Sequence, residues 1–188
     1  MVLSSRVKKT IFLLLAFLGS SFATAEIRSL LPAKTKVEMG ITNDGVMGGL
    51  SKGKITKTDQ GTYLFSGDLS LQNNGGFSSL RMTGGDWNLN GWQGIEIEVK
   101  GDGRTYDLRL TTDEKFRGSS VSFSGKFETK KGEWTKVRVP FSALKATWRG
   151  MKLDRNFSPA KIEGLGITIA DKVQGPFKLE FRSLAAWK

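Results

Sequence analysis

Two groupings of carboxylates, Asp44 with Asp68 and Asp113 with Glu114, could support acid–base hydrolysis if the fold brought one pair to about 5–10 Å within a cleft. Stronger catalytic sets are missing, because the 188 residues contain no cysteine and no histidine. Their absence removes the thiolate nucleophile, the Ser-His-Asp arrangement and the usual zinc and copper ligand sets. Carboxylate, lysine and oxygen-bound calcium chemistry survive. Around Asp44 the spacing lacks the repeated Asp/Asn positions and the closing Glu of an EF-hand. A calcium ion under that loop stays an alternative, and no cofactor is implied. Binding is therefore the better expectation than catalysis.

Binding points to two glycine-rich runs. In Asn43-Asp44-Gly45-Val46-Met47-Gly48-Gly49, exposed amides and Asp44 could form a recognition loop. The same residues could instead make a tight connection, with Asp44 capping its own turn, Gly45, Gly48 and Gly49 allowing positive φ, and Met47 packing as a flexible core plug. Asn73-Asn74-Gly75-Gly76 is a loop by composition and leads into Phe77 and a strand carrying Arg81. The Arg81 guanidinium could grip a carboxylate bidentately, either on a ligand or on Asp44 or Asp68 of a neighbouring loop. Of the five tryptophans, Trp148 beside Arg149 lies in the least regular stretch, and it is the one expected to face solvent. Asn43, Asp44, Met47, Gly48, Gly49, Asn74, Arg81, Trp148 and Arg149 are thus the candidate binding residues.

Strands must position these loops. Ile95, Ile97 and Val99 alternate with charged residues, as do Tyr106, Leu108 and Leu110, a period of two that buries one face. Gly101-Asp102-Gly103-Arg104 between them reads as a hairpin turn. Val121, Phe123 and Phe127 repeat the pattern, with Gly125 marking a bulge or a close backbone approach. Further strands are expected at Val137–Phe141, at Leu165–Ile169, at Phe177–Phe181 after a Gly175-Pro176 turn, and upstream at Tyr63–Leu71 and Phe77–Met82. Ser142–Trp148 has room for one helical turn. The fold expected is all-β, a two-sheet antiparallel sandwich of jelly-roll type.

The two glycine runs are followed in order by Gly101-Asp102-Gly103-Arg104-Thr105-Tyr106, Gly132-Glu133-Trp134, Val139-Pro140-Phe141 and Arg149-Gly150. In that order the set resembles the complex I intermediate-associated protein 30 family, from about Val37 to Leu184. The resemblance implies a galactose-binding-like sandwich that is non-catalytic and holds another molecule on its surface; the relatives best known by role help assemble respiratory complex I inside mitochondria. Met39-Gly40-Ile41-Thr42 stands where family members commonly carry a tryptophan.

The first 25 residues point elsewhere. Arg6, Lys8 and Lys9 precede an apolar run from Ile11 to Leu18, and Ala23-Thr24-Ala25 offers a cleavage site before Glu26. The run is shorter than the roughly 20 residues a membrane-spanning helix needs. A secretory signal over 1–25 and a single domain over 26–188 are therefore expected, with export to a periplasm or the exterior and no stable membrane insertion after cleavage. Removing three basic residues from 29 leaves 26 against 18 acidic ones, a net charge of +8. Such a balance favours acidic partners. Only Lys126–Lys131 approaches a basic cluster and Glu128 interrupts it, too sparse for nucleic acid. An envelope protein or protein complex is the partner expected first and a glycan second. A protein partner predicts an exposed apolar patch, and a glycan predicts solvent-facing tryptophan.

Overall fold

Alternation decides which face of each strand is buried. Ile95, Ile97 and Val99 are fully buried, as are Tyr106, Leu108 and Leu110, and each such aliphatic side chain contributes about 1.5–3 kcal/mol on leaving water. The computed structural model describes residues 26–31 and 37–188. The leader expected over residues 1–25 lies outside them.

The strands, in chain order, are β1 (Ile27–Ser29), β2 (Glu38–Asn43), β3 (Lys52–Lys57), β4 (Tyr63–Leu69), β5 (Ser78–Thr83), β6 (Gly94–Lys100) and β7 (Thr105–Phe116). They continue with β8 (Ser119–Glu128), β9 (Trp134–Pro140), β10 (Lys145–Trp148), β11 (Met151–Lys152), β12 (Ile162–Ile169) and β13 (Gly175–Trp187). One sheet runs β3-β4-β13-β6-β9, with β1 also on β13; the other runs β11-β10-β8-β7-β12-β5-β2. Neighbouring strands pair antiparallel throughout the described residues. Phe65, Phe177, Leu179 and Phe181 from the first sheet meet Leu80, Leu108, Phe123 and Ile167 from the second in one core. The expected all-β sandwich of jelly-roll type is the fold.

The pairing departs from the sequence reading in one important place. β6 and β7 are not a hairpin: β6 pairs with β13 and β9, whereas β7 pairs with β8 and β12. Residues 101–104 carry the chain from one sheet to the other. Asp102 fixes this crossing, accepting from the Arg104 amide at 3.0 Å, the Tyr106 hydroxyl at 3.0 Å and the Lys178 amide at 2.7 Å. The tight hairpins lie elsewhere, at Arg117-Gly118 and Arg149-Gly150, where both residues of each pair take positive φ.

Two smaller readings also change. Ser142–Trp148 is not one helical turn, because a short 3-10 turn ends at Ala143 and β10 begins at Lys145. Gly175-Pro176 starts β13 rather than forming the turn before it. Gly125 is a close approach between sheets, since a Cβ there would lie 2.5 Å from Val139 Cγ1.

Candidate functional site

The two glycine-rich runs form one structure. Asp44 is fully buried, and its carboxylate accepts from the Ser51 amide at 2.9 Å and the Ser51 hydroxyl at 2.5 Å. It also accepts from the amides of Gly76 and Phe77, at 2.7 and 3.3 Å. Burial, the largest influence, pushes this carboxyl up, but the Ser51 hydroxyl and the three amides together outweigh it and hold the group below its ordinary value. The glycines are needed for access: a Cβ on Gly49 would lie 2.3 Å from Asp44 Cγ, and one on Gly75 would lie 2.6 Å from Oδ2. Gly48 ends the 3-10 turn Asp44–Met47 at φ 89°, a conformation glycine adopts without strain. Asn43 accepts from the Gly53 amide and the Ser78 hydroxyl, at 3.0 and 2.7 Å. Asn73 donates to the Gly48 carbonyl, while Asn74 sits exposed at φ 57° in the facing turn.

Above this knot the apolar side chains point outward. Met47 is 66% exposed, so it is not a core plug, and Val46 is 76% exposed. Leu50 and Leu71 are exposed too. They are brought together because Ser51 and Ser70, one residue inward of each, exchange hydrogen bonds at 3.0 and 3.2 Å. The four exposed apolar side chains thus flank the Asp44 knot.

The candidate carboxylate pairs do not assemble. Asp44 is sealed by its four donors, and Asp68 lies exposed in β4 opposite Lys52 and Pro176. Asp113 bonds Lys161 at 2.7 Å and Glu114 bonds Arg155 at 3.2 Å, both at the surface. Among the described residues no cluster of acidic side chains could hold a metal ion.

Arg81 ties down neither Asp44 nor Asp68. It lies on the outer face of the larger sheet in a cross-strand row that reads Gly40, Arg81, Gly166, Arg109, Ser124. The next row reads Thr42, Ser79, Thr168, Asp107, Lys126, and the one on the other side includes Gly164, Thr111 and Ser122. Between the arginines is a groove of 370 Å³ floored by Gly164 and Gly166 and walled by Thr83, Thr111, Ser120 and Ser122. By sequence Arg109 is one outward member of an alternating strand. A signal was nonetheless present in Gly164-x-Gly166, two glycines on one face of a strand, which leave a hole opposite its neighbours.

The Arg109 Nε is buried and has no hydrogen-bond partner among the described residues. Burial is the main influence on its guanidinium and pushes its pKa down; Asp107 opposes this and Arg81 adds to it. An unpartnered buried donor costs stability. Arg109→Met keeps the stem and removes that donor, and is expected to raise stability by about 1–2 kcal/mol, checked by urea unfolding.

Each tryptophan is either buried or half-buried with a cation over its ring. Trp148 is half-buried in β10; its indole donates to Ser119 Oγ at 2.7 Å, and its ring lies edge-on to Phe116. Arg117 and Arg149 cover that ring at 5.7 and 5.0 Å, so Arg149 serves the hairpin and the ring together. Cations likewise cover Trp92, Trp134 and Trp187, while Trp87 is buried.

The family profile described as Complex I intermediate-associated protein 30 matches residues 30–181. A probable complex I intermediate-associated protein 30, mitochondrial, of Caenorhabditis briggsae is 28% identical over 151 residues, covering 70% of this chain and 44% of that protein. The corresponding protein of Mus musculus is 31% identical over 99 residues, covering 50% of this chain and 30% of its own length. The chain thus spans less than half the length of these relatives. Both are mitochondrial by name, which overturns the expectation of a periplasmic or secreted protein.

Among solved structures, the family 11 carbohydrate-binding module of a Clostridium thermocellum cellulosomal cellulase superposes with a TM-score of 0.60. It is 12% identical, covering 87% of this chain and 94% of the module. A family 30 carbohydrate-binding module of the same organism gives a TM-score of 0.53 at 15% identity, with coverage of 86% and 96%. At such identities the likeness is one of fold.

Proposed function

Because this chain belongs to the complex I intermediate-associated protein 30 family, we propose that it is a non-catalytic module that holds a protein partner, a subunit or intermediate of a multi-subunit complex. The observation that carries this reading is the apolar tip of Val46, Met47, Leu50 and Leu71, exposed on a base that Asp44 makes rigid. Exposed apolar patches mark interaction sites, and a rigid loop loses little conformational entropy on docking. The relatives named as complex I intermediate-associated proteins support the assembly role.

In-cell crosslinking of the full chain, read by mass spectrometry, tests the proposal. One reproducible protein or complex is expected, and Val46→Asp/Met47→Asp should reduce its capture by tenfold or more, as loss of about 1.4 kcal/mol implies. The same variant should unfold within about 0.5 kcal/mol of the parent, since both side chains stand in solvent. Undiminished capture by that variant would remove the tip from the interface.

A carbohydrate reading rests on a different observation, the hydroxyl-lined groove on a fold shared with carbohydrate-binding modules. Against it, none of the described residues lining that groove is aromatic, so a neutral sugar ring finds no stacking platform there.

A further inference from the structure

From the outer face of the larger sheet we infer a second binding site, independent of the apolar tip: Arg81 and Arg109 flank Gly166 to hold the anionic group of a hydroxylated small ligand, an acidic sugar. Four features of the groove lead there.

Its shape comes first. Arg81 and Arg109 occupy one row and both stand beside Gly166, on strands roughly 10 Å apart, twice the ~4.8 Å spacing of neighbouring strands. Among the described residues no side chain fills the space between them. Residue 166 cannot readily carry one either, because a Cβ there would lie 2.4 Å from the Leu80 carbonyl oxygen.

The charge is uncommitted. Arg81 is exposed and no hydrogen bond holds it among the described residues, while the buried Nε of Arg109 has no acceptor. Other arginines are committed to carboxylates: Arg104 takes both Asp171 oxygens at 2.9 and 2.6 Å, and Arg138 takes Glu96 at 2.8 Å. Asp107, one row away, attracts Arg109 through space but makes no hydrogen bond to it among the described residues, so both guanidinium forks keep donors for a ligand carboxylate or phosphate.

The surroundings select for hydroxyls. Thr83, Thr111, Ser120 and Ser122 line the groove and can donate or accept, so they match the polyhydroxyl edge of a sugar. Asp107, one row away and half-buried, makes no hydrogen bond among the described residues and can accept from a ligand hydroxyl. Burial pushes this carboxyl up, with Lys126 and Arg109 opposing.

Finally, the groove's 370 Å³ is at the lower end of small-ligand sites and suits one or two sugar rings. Without an aromatic platform, affinity must come from charge-assisted hydrogen bonds, and these demand an anionic ligand.

Isothermal titration of the full chain with galacturonate, glucose 6-phosphate and neutral galactose is the test. At least one acidic sugar should bind about tenfold or more tightly than galactose, the advantage of a hydrogen bond to a charged group. Which of the two binds tells a carboxylate ligand from a phosphate ligand. Arg81→Gln should weaken that binding about tenfold, and Arg109→Met should abolish it while the chain stays folded by circular dichroism. Equal affinity for galactose, indifference to both substitutions, or no binding of either acid at millimolar concentration would each overturn the site. The Val46→Asp/Met47→Asp variant should bind the acid normally and Arg81→Gln should capture its protein partner normally, so the two surfaces fail separately.

Discussion

Asp44→Ala is expected to destabilise the chain by roughly 3–5 kcal/mol, lowering the midpoint of thermal unfolding by about 10 °C. The substitution leaves the amides of Ser51, Gly76 and Phe77 and the Ser51 hydroxyl without their acceptor, around a carboxylate that is itself fully buried. Each orphaned buried donor costs about 1–3 kcal/mol, partly recovered as the loops relax. Asp44→Asn keeps the volume but turns an amide group toward donors, so it should fall between alanine and the parent. The parent should also show acid sensitivity of definite sign. Its folded carboxyl lies below the ordinary 3.8, so the stabilisation is fully present above that value and is lost as pH falls through the lower folded one. Urea unfolding across pH 2–5 should show that slope in the parent and less of it in Asp44→Asn. An alanine variant as stable as the parent would mean that the two loops hold together without the carboxylate.

How far the sequence is legible depends on how locally each feature is encoded. The period of two at Ile95–Val99 and Tyr106–Leu110 is a local signal of one buried face, and it identifies both strands. Which strand each one pairs with is not local. Gly101-Asp102-Gly103-Arg104 has hairpin composition, yet Asp102 binds the Lys178 amide, 76 positions along the chain, and the segment crosses between sheets. Trp148 reads as exposed from sequence because its neighbourhood lacks periodicity. Its cover comes from Phe116, Arg117 and Ser119 across a hairpin, residues the local pattern does not connect to it. The two glycine runs could be read as turns, but not as two halves of one knot around a single carboxylate.

The segments that most resemble the family are, in this structure, largely scaffold. Asp44, Gly49 and Gly75 build the knot, Asp102 and Arg104 build the crossing, and Arg149-Gly150 turns a hairpin. The groups free to bind are less conspicuous in sequence. Val46 and Met47 are the two apolar residues inside the first run, and Arg109 is one member of an alternating strand. Turn chemistry tolerates few residue types and is easily read, whereas an exposed apolar or cationic side chain is ordinary until the fold shows that nothing covers it.

The second large effect is expected further along the same end of the sandwich, where Ile169 pairs with Ser78 and Tyr106 and Arg104→Ala should cost roughly 3–5 kcal/mol. This guanidinium takes both Asp171 carboxylate oxygens and donates to the carbonyls of Gly175 and Pro176 at 3.2 and 2.9 Å, and to that of Val173. Each partner of the ion pair is only 11% exposed, so solvent screens it little. The contact closes the β12–β13 connection over the crossing from β6 to β7 and so holds the two sheets at this end. Removing the arginine strands a mostly buried carboxylate and three carbonyls, and the Asp171 carboxyl, now held low by Arg104 against its own burial, should move up. Arg104→Lys should rescue little, because an ammonium is a point charge and cannot span a carboxylate and a loop of carbonyls. A double-mutant cycle with Asp171→Ala separates the ion pair from the rest: a coupling of about 1–3 kcal/mol is expected, with the remainder of the loss assigned to the carbonyls. Hydrogen exchange should localise the damage to the amides of residues 171–178. Uniform loss of protection, or a coupling near zero, would show that Arg104 does not staple this end.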